Sequence, residues 1–177
     1  MKKRFSISLL VLACTFLCVM SACSQTQSND IVAEGENPVR VSDAYSFTEG
    51  PAADARGDVY FTDQPNNRIY RWDCESGEIT LFTDQSGRSN GMYFDAQGNL
   101  IACADMDNQL WRFDMKGQAE VLITGYHGKL LNGPNDVWIA KDRNILFITA
   151  SKSVYTLKML VHGVSSTSTL QPLGSSS

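Results

Sequence analysis

One block of sequence occurs three times in this chain, and this repeat restricts the possible folds more than any other feature. The first copy runs from Glu49 to Asp73, and the second begins at Asn90 with its Gly, Asp and aromatic positions aligned to the first. A third, shorter copy begins at Asn135, so the copies start 41 and 45 residues apart. Periods of this size, each with several short β-forming runs, are typical of propeller blades. We therefore predict an all-β chain of consecutive β-propeller blades.

Within each copy, short apolar runs alternate with turn residues, as expected for antiparallel strands. Residues 59–62 form a continuous apolar run, which predicts a strand buried on both faces. Residues 64–67 (QPNN) follow as a turn, because Pro presets φ and Asn tolerates a left-handed conformation. A short alternating segment at residues 39–41 predicts an additional edge strand. We place the partial propeller at residues 38–158 and a low-complexity tail at residues 159–177.

The N-terminal segment has the pattern of a targeting sequence. A basic start precedes an apolar run that is too short for an ordinary membrane span, so residues 1–22 are predicted to be a signal peptide. Cys23 follows Met-Ser-Ala, which resembles the lipobox of bacterial lipoproteins, whereas a plain secretory signal is the alternative. We predict lipidation at Cys23, a polar tether at residues 23–37, and a lipid anchor to a membrane of the bacterial cell envelope, on its periplasmic or surface side.

The charge pattern argues against nucleic acid as a partner. The chain has a net charge of −4, and the predicted signal contains three of its cations, so that the remainder is more acidic still. No cluster of Lys and Arg follows the signal, which also argues against a basic membrane-binding face. Beyond Cys23 only Cys74 and Cys103 remain. They occupy different repeat positions, and we predict that both are free thiols.

Oxygen-bearing residues open each copy of the repeat: Glu49, Asn90 and Asn135. In a propeller the innermost strand of every blade lines the central channel, so equivalent residues converge on the axis. Carboxylate and amide oxygens form a hard ligand set that suits Ca²⁺ or Mg²⁺. Asn-Gly and Asn-Asp dipeptides are also ordinary turn residues at the start of a strand, and the position alone does not separate these interpretations.

Several motifs resemble the gluconolactonase family, which includes senescence marker protein and luciferin-regenerating enzyme. They are Glu-Gly-Pro at residues 49–51, Asn-Gly-Met-Tyr-Phe-Asp at 90–95 and Leu-Asn-Gly-Pro-Asn-Asp-Val at 131–137. The YFTDQPNNRIYRWD segment at residues 60–73 is equally typical, and the resemblance covers about residues 47–147. It implies a six-bladed propeller, of which this chain contains about three blades.

The resemblance also implies a function. Members of the family hydrolyse lactones, often sugar lactones, with one divalent cation on the axis, usually Ca²⁺, with Mg²⁺ or Zn²⁺ as alternatives. By motif, Glu49 and Asn135 are expected to bind the metal, and Asn90, Asn135 and Asp136 to lie at the substrate. The family's general base is usually an Asp of a later blade, so no catalytic residue is assigned in this chain.

The chain departs from the family pattern in its last third. The third copy breaks off after Thr149, and no Pro-Asn-Gly or Asp-Gly motif follows residue 150. Leu130 occupies a position where many relatives carry a basic residue. We therefore expect a truncated or frame-shifted member of the family. Two alternatives remain open: a non-catalytic, envelope-anchored binding or scaffold module, and self-association through open sheet edges.

Overall fold

The computed structural model describes residues 31–33, 35–140, 144–161 and 163. The chain divides into two compact units, residues 1–41 and residues 42–177. In the described part of the first unit there is no strand, and Val39 and Val41 are exposed. The additional strand expected at residues 39–41 was therefore wrong, because alternation of apolar and charged residues does not by itself supply a pairing edge. The predicted signal peptide and Cys23 lie outside the described residues.

The described residues of the second unit form eleven strands in three antiparallel sheets, which we call blades 1, 2 and 3. Blade 1 contains β1 (Thr48–Ala53), β2 (Val59–Asp63), β3 (Arg68–Trp72) and β4 (Ile79–Thr83). Blade 2 contains β5 (Ser89–Phe94), β6 (Leu100–Ala104), β7 (Gln109–Phe113) and β8 (Ala119–Ile123). Blade 3 contains β9 (Pro134–Ala140), β10 (Ile145–Ala150) and β11 (Ser153–Lys158). This arrangement confirms the predicted all-β, three-blade propeller fold.

Repeated aspartates explain the tight turn between the first two strands of blades 1 and 2. The Asp54 Oδ1 atom accepts hydrogen bonds from the backbone N–H groups of Arg56 and Asp58, at 2.9 and 3.0 Å. In blade 2 the Asp95 Oδ1 atom accepts in the same way from residues 97 and 99. An Asp side chain thus satisfies the backbone groups that the turn leaves unpaired, which is why Asp recurs in the repeat.

Two hydrophobic cores lie between the three blades and pack them together. The first lies between blades 1 and 2 and is built from fully buried side chains that include Tyr60, Phe94 and Phe113. The second lies between blades 2 and 3 and includes Ile101 and Leu146. Burial of this apolar surface is the main stabilising contribution to such an array of neighbouring blades. Among the described cysteines, Cys74 is exposed and Cys103 is buried, and both are free, which confirms the prediction.

A left-handed asparagine in each of the first two blades holds the beginning of the next blade. Short 3₁₀ turns at Gln64–Asn66 and Asp105–Asp107 are followed by Asn67 and Asn108, with φ of 59° and 56°. The Asn67 Oδ1 atom accepts a hydrogen bond from the Arg88 backbone N–H at 2.8 Å. The Asn108 Oδ1 atom accepts one from Gly133 at 2.7 Å. These bonds fix the loops that lead into β5 and β9.

No helix in the described parts of the chain has the length and apolarity needed to cross a membrane.

Candidate functional site

The beginnings of the three inner strands lie side by side. A Cβ atom added to Gly50 on β1 would overlap with the carbonyl oxygen of Asn90 and would lie 2.7 Å from the Cα atom of Gly91 on β5. A Cβ atom added to Gly91 would in turn overlap with the Asp136 carboxylate and lie 2.7 Å from the Asp136 Cα atom on β9. Two glycines therefore allow close backbone approach at the point where the predicted metal-binding and substrate-binding residues occur.

Each inner strand carries a β-bulge at this level. The register shifts between Glu49 and Ala52 on β1 and between Ser89 and Met92 on β5. On β9 it shifts at Asn135, because Pro134 pairs with Ala150 and Asp136 pairs with Thr149, which leaves Asn135 without a pairing partner on β10. A bulge bends the strand and redirects the side chains beside it, and bulges are frequent next to active sites. The strands are therefore distorted at the same level as the oxygen-bearing residues.

Glu49 and Asp136 make equivalent hydrogen bonds in blades 1 and 3. Glu49 pairs with Thr62, and the Thr62 hydroxyl donates to the carbonyl oxygen of Glu49 at 3.2 Å. Asp136 pairs with Thr149, and the Thr149 hydroxyl donates to the carbonyl oxygen of Asp136 at 3.4 Å. In this register the residue of blade 3 that matches Glu49 is Asp136, one position beyond the residue that the repeat spacing indicates.

The four predicted residues differ in exposure. Glu49 and Asn90 are half-buried, whereas Asn135 and Asp136 are exposed. The Asn90 Nδ2 group donates to the carbonyl oxygen of Pro134 at 3.5 Å, so this side chain reaches from blade 2 to the beginning of blade 3. Because β5 contacts both β1 and β9, Asn90 lies on the strand between Glu49 and Asn135. The structure thus brings the predicted residues to neighbouring strand starts.

A further carboxylate lies close to this group, and sequence reasoning missed it. The position of a Cβ atom on Gly133 would be 3.5 Å from the Asp105 Oδ1 atom. Burial raises the pKa of the Cys103 thiol, and the carboxylates of Asp136 and Asp105 raise this pKa further. Cys103 therefore remains protonated at neutral pH and lacks the thiolate that a nucleophile needs. Asp105 resembles an ordinary turn residue in the sequence, so no signal distinguished it.

Arg88 is a second residue that sequence reasoning missed. It precedes Asn90 by two residues, is exposed, and has a φ of 51°, a left-handed conformation that is uncommon outside glycine. Its backbone N–H is held by Asn67, and its guanidinium group donates to the Gln64 Oε1 atom at 3.4 Å. The backbone and the side chain of Arg88 are thus both held by amide groups of blade 1. An isolated Arg in a polar loop carries no sequence signal for such a role.

The donors at these strand starts are all oxygen atoms. Among the described residues, no three His, Cys, Asp or Glu side chains form a cluster suited to a metal ion. The oxygens available here belong to the carboxylates of Glu49 and Asp136 and to the amides of Asn90 and Asn135. Such a mixed carboxylate and amide set fits the coordination preferences of Ca²⁺.

Comparison with known proteins identifies similar sequences and folds. Residues 47–158 match the family model described as SMP-30/Gluconolactonase/LRE-like region. A gluconolactonase of Zymomonas mobilis is 25% identical over 134 residues, which cover 67% of this chain and 37% of that protein. The X-ray structure of a putative gluconolactonase is 34% identical, with a TM-score of 0.57, over 62% of this chain and 38% of the other.

Two further solved structures are similar. A gluconolactonase of Xanthomonas campestris is 26% identical, with a TM-score of 0.60, over 71% of this chain and 49% of the other. A luciferin-regenerating enzyme is 15% identical with a TM-score of 0.53, which indicates a shared fold alone. The chain spans less than half the length of each of these relatives.

Proposed function

This chain belongs to the SMP-30/gluconolactonase/LRE-like family, and we propose that its three blades contribute to the active site of an enzyme that hydrolyses a lactone. The observation that carries the proposal is the meeting of β1, β5 and β9 at Gly50 and Gly91. This close approach puts Glu49, Asn90, Asn135 and Asp136 on adjacent strand starts within the segment that matches the family. Family membership supports lactone hydrolysis in general and does not identify the lactone.

We propose that these residues hold a divalent cation, with Ca²⁺ as the first candidate. Glu49 and Asp136 would supply negative charge, and Asn90 and Asn135 would supply neutral amide oxygens. Hard oxygen donors of this kind suit Ca²⁺ better than they suit a soft metal. When bound, such a cation polarises a lactone carbonyl and lowers the pKa of a bound water.

The residues themselves would orient the substrate. The half-buried Asn90 amide is held by the Pro134 carbonyl, so it is directed toward the beginning of blade 3. Arg88 is exposed two residues before Asn90, and its guanidinium group, which donates to the Gln64 Oε1 atom, would attract the carboxylate that forms when the ring opens. In this reaction water adds to the carbonyl carbon, the ring C–O bond breaks, and the products are a carboxylate and a hydroxyl group.

The direct test measures hydrolysis of several sugar lactones by the purified chain, with and without a chelator. Loss of activity on chelation and recovery on addition of Ca²⁺ are the expected results. Isothermal titration with Ca²⁺ in the absence of lactone reports binding separately. Lactone binding without turnover would contradict the enzyme and support the binding module instead. Absence of both hydrolysis and cation binding in a folded sample would overturn the proposal.

A further inference from the structure

Strand pairing defines equivalent positions in the three blades. Each blade has a trailing face, which is directed toward the following blade, and a leading face, which is directed toward the preceding one. Matched trailing positions are Tyr60 and Ile69 in blade 1, Ile101 and Leu110 in blade 2, and Phe147 and Val154 in blade 3. Matched leading positions are Ala53, Val59 and Phe61 in blade 1, Phe94, Leu100 and Ala102 in blade 2, and Ile139, Leu146 and Ile148 in blade 3.

The trailing face of blade 3 is exposed, whereas the equivalent positions of blades 1 and 2 belong to the hydrophobic cores. In blades 1 and 2 the trailing residues are at most 1% exposed, because the next blade covers them. In blade 3, Phe147 is 39% exposed and Val154 is 68% exposed. Trp138, which pairs with Phe147, is 57% exposed. Large apolar side chains thus lie together on a sheet face that solvent reaches, a pattern that marks an interaction surface.

The leading face of blade 1 is likewise less buried than the equivalent faces of the other two blades. The equivalent residues of blades 2 and 3 are at most 2% exposed. In blade 1, Ala53 is exposed and Val59 and Phe61 are half-buried. The Tyr45 ring covers part of this face through an edge contact with Phe61, at a centroid distance of 5.1 Å. A trailing face and a leading face meet between blades 1 and 2 and again between blades 2 and 3. The trailing face of blade 3 and the leading face of blade 1 are the corresponding surfaces that remain partly exposed.

We propose that a second copy of this chain covers both faces, with blade 3 of each copy packed on blade 1 of the other. The occupant is inferred from continuity: a leading face of this sequence is the surface that the trailing faces of blades 1 and 2 already bind. Two copies related by a two-fold axis make this contact twice and close a ring of six blades, the number in a propeller of the gluconolactonase type. Closure also removes the exposed sheet faces.

The two-fold axis then coincides with the axis of the ring, and the inner strands of both copies surround it. This consequence rests on the proposed function: the oxygens of Glu49, Asn90 and Asp136 from each copy would face one shared cavity. A cation bound there would be held by both copies, so its binding would favour the dimer by mass action. We expect a stoichiometry of one cation for two chains.

Charge variants test the contact. Val154→Lys alters the trailing face of blade 3, and Ala53→Glu alters the leading face of blade 1. Both residues are exposed, so each variant is expected to fold, which far-ultraviolet circular dichroism checks. Met115→Lys, at an apolar residue that is 48% exposed in the turn between β7 and β8, is the matched control. Light scattering coupled to size exclusion measures the mass of each sample without lactone.

The wild-type chain and Met115→Lys are expected to have twice the mass of one chain, and Val154→Lys and Ala53→Glu the mass of one. A mixture of Val154→Lys with Ala53→Glu is expected to associate again. One interface of the mixed dimer is intact, and the other pairs the new Lys with the new Glu. A monomeric wild-type chain would overturn the proposal, and would indicate that residues of the same chain cover these faces or that the faces remain open.

Two other results would also overturn the proposal. A mixture that stays monomeric would contradict the packing of blade 3 on blade 1, because one such contact is unchanged in the mixed dimer. Open polymers in place of a dimer would show that the ring does not close. Because mass is measured without substrate, a dimer that hydrolyses no lactone would contradict the proposed function and leave the association intact. An active monomer would do the reverse.

Discussion

The Thr149 hydroxyl donates a hydrogen bond to the carbonyl oxygen of Asp136 at 3.4 Å. In blade 1 the Thr62 hydroxyl makes the same bond to the carbonyl oxygen of Glu49 at 3.2 Å. The bond is a register marker, because it joins the inner strand to its neighbour at the level of the bulge. It identifies Asp136 as the carboxylate in blade 3 that corresponds to Glu49, and this equivalence leads to the first prediction.

Glu49→Gln and Asp136→Asn should each weaken Ca²⁺ binding. Both changes keep the shape of the side chain and remove one negative charge from the proposed ligand set. Loss of an outer partner of a metal ligand already lowers affinity about 10–100-fold, and we expect at least a 10-fold loss for either variant by titration calorimetry. Glu75→Gln, in the exposed turn between β3 and β4, is the control. Equal Ca²⁺ affinity in Glu49→Gln and the control would contradict the assignment.

Gly91→Ala should destabilise the chain through the contact with β9. The added methyl group would overlap with the Asp136 carboxylate and lie 2.7 Å from its Cα atom, so that the backbone must move. Overpacking of this kind costs about 1–3 kcal/mol, measured as the change in free energy of unfolding by urea titration. Gly98→Asn is the control, since nothing lies within 4 Å of that site and Asn tolerates its φ of 84°. Similar losses in both variants would contradict the close approach.

Asn108 should contribute to stability through both its side chain and its backbone conformation. Asn108→Gly keeps the left-handed conformation and removes the hydrogen bond to Gly133, and it should cost about 1 kcal/mol. Asn108→Ala should cost about 1–2 kcal/mol more, because a Cβ atom disfavours this conformation. Thermal and urea unfolding measure both. If Asn108→Ala were the more stable of the two, the left-handed φ of 56° would be incorrect.

Asp58 should make blade 1 sensitive to acid. The backbone N–H of Cys74 and the guanidinium group of Arg71 lower the pKa of Asp58 to about 2, from an ordinary value of 3.8. Because the folded pKa is depressed, the ionised form stabilises the fold above pH 4, and this contribution is lost as pH falls from about 4 to 2. Asp58→Asn should reduce the dependence of stability on pH in that range, in urea titrations at several pH values. An unchanged dependence would contradict this role.

A lipid anchor at Cys23 remains our proposal for the location of the chain. Cys23→Ser, in cells that process lipoproteins, should shift the protein from the membrane fraction to the soluble fraction. Mass spectrometry of the wild-type N-terminus should detect a lipidated Cys. Cys74→Ser is the control, because that thiol is free and lies in a turn of blade 1. A wild-type protein that is already soluble would contradict the anchor.

The repeat spacing predicted the blades because turns and apolar runs recur with the period of the fold. It did not predict the register of blade 3. There Ser151 and Lys152 alone connect β10 to β11, whereas the earlier blades use a 3₁₀ turn. The bulge also occurs at Asn135 instead of at a glycine, and Asp136 then takes the position that matches Glu49. A register shift of one residue leaves the amino-acid composition of the strand unchanged, so the shift could be detected only from the pairing of β9 with β10.

The sequence predicted only part of the candidate site, because the positions of the other residues depend on contacts between blades. Glu49 was identifiable because a Glu before Gly-Pro has no turn role of its own. Asp105 and Arg88 come to the same region through the fold, from a turn and from a loop whose residues look like ordinary solvent-exposed connections. Their position depends on contacts between blades that are 20 or more residues apart in sequence, such as the bond between Asn67 and Arg88.

The bonds from Asn67 and Asn108 also give the array a direction. Each asparagine closes a turn in its own blade and holds the first residues of the next one. A blade completed early during synthesis therefore offers a template on which its successor can align while the rest of the polypeptide is still being made. Assembly would advance from the N-terminal blade onward, and loss of the Asn67 hydrogen bond would disturb the alignment of every blade that follows.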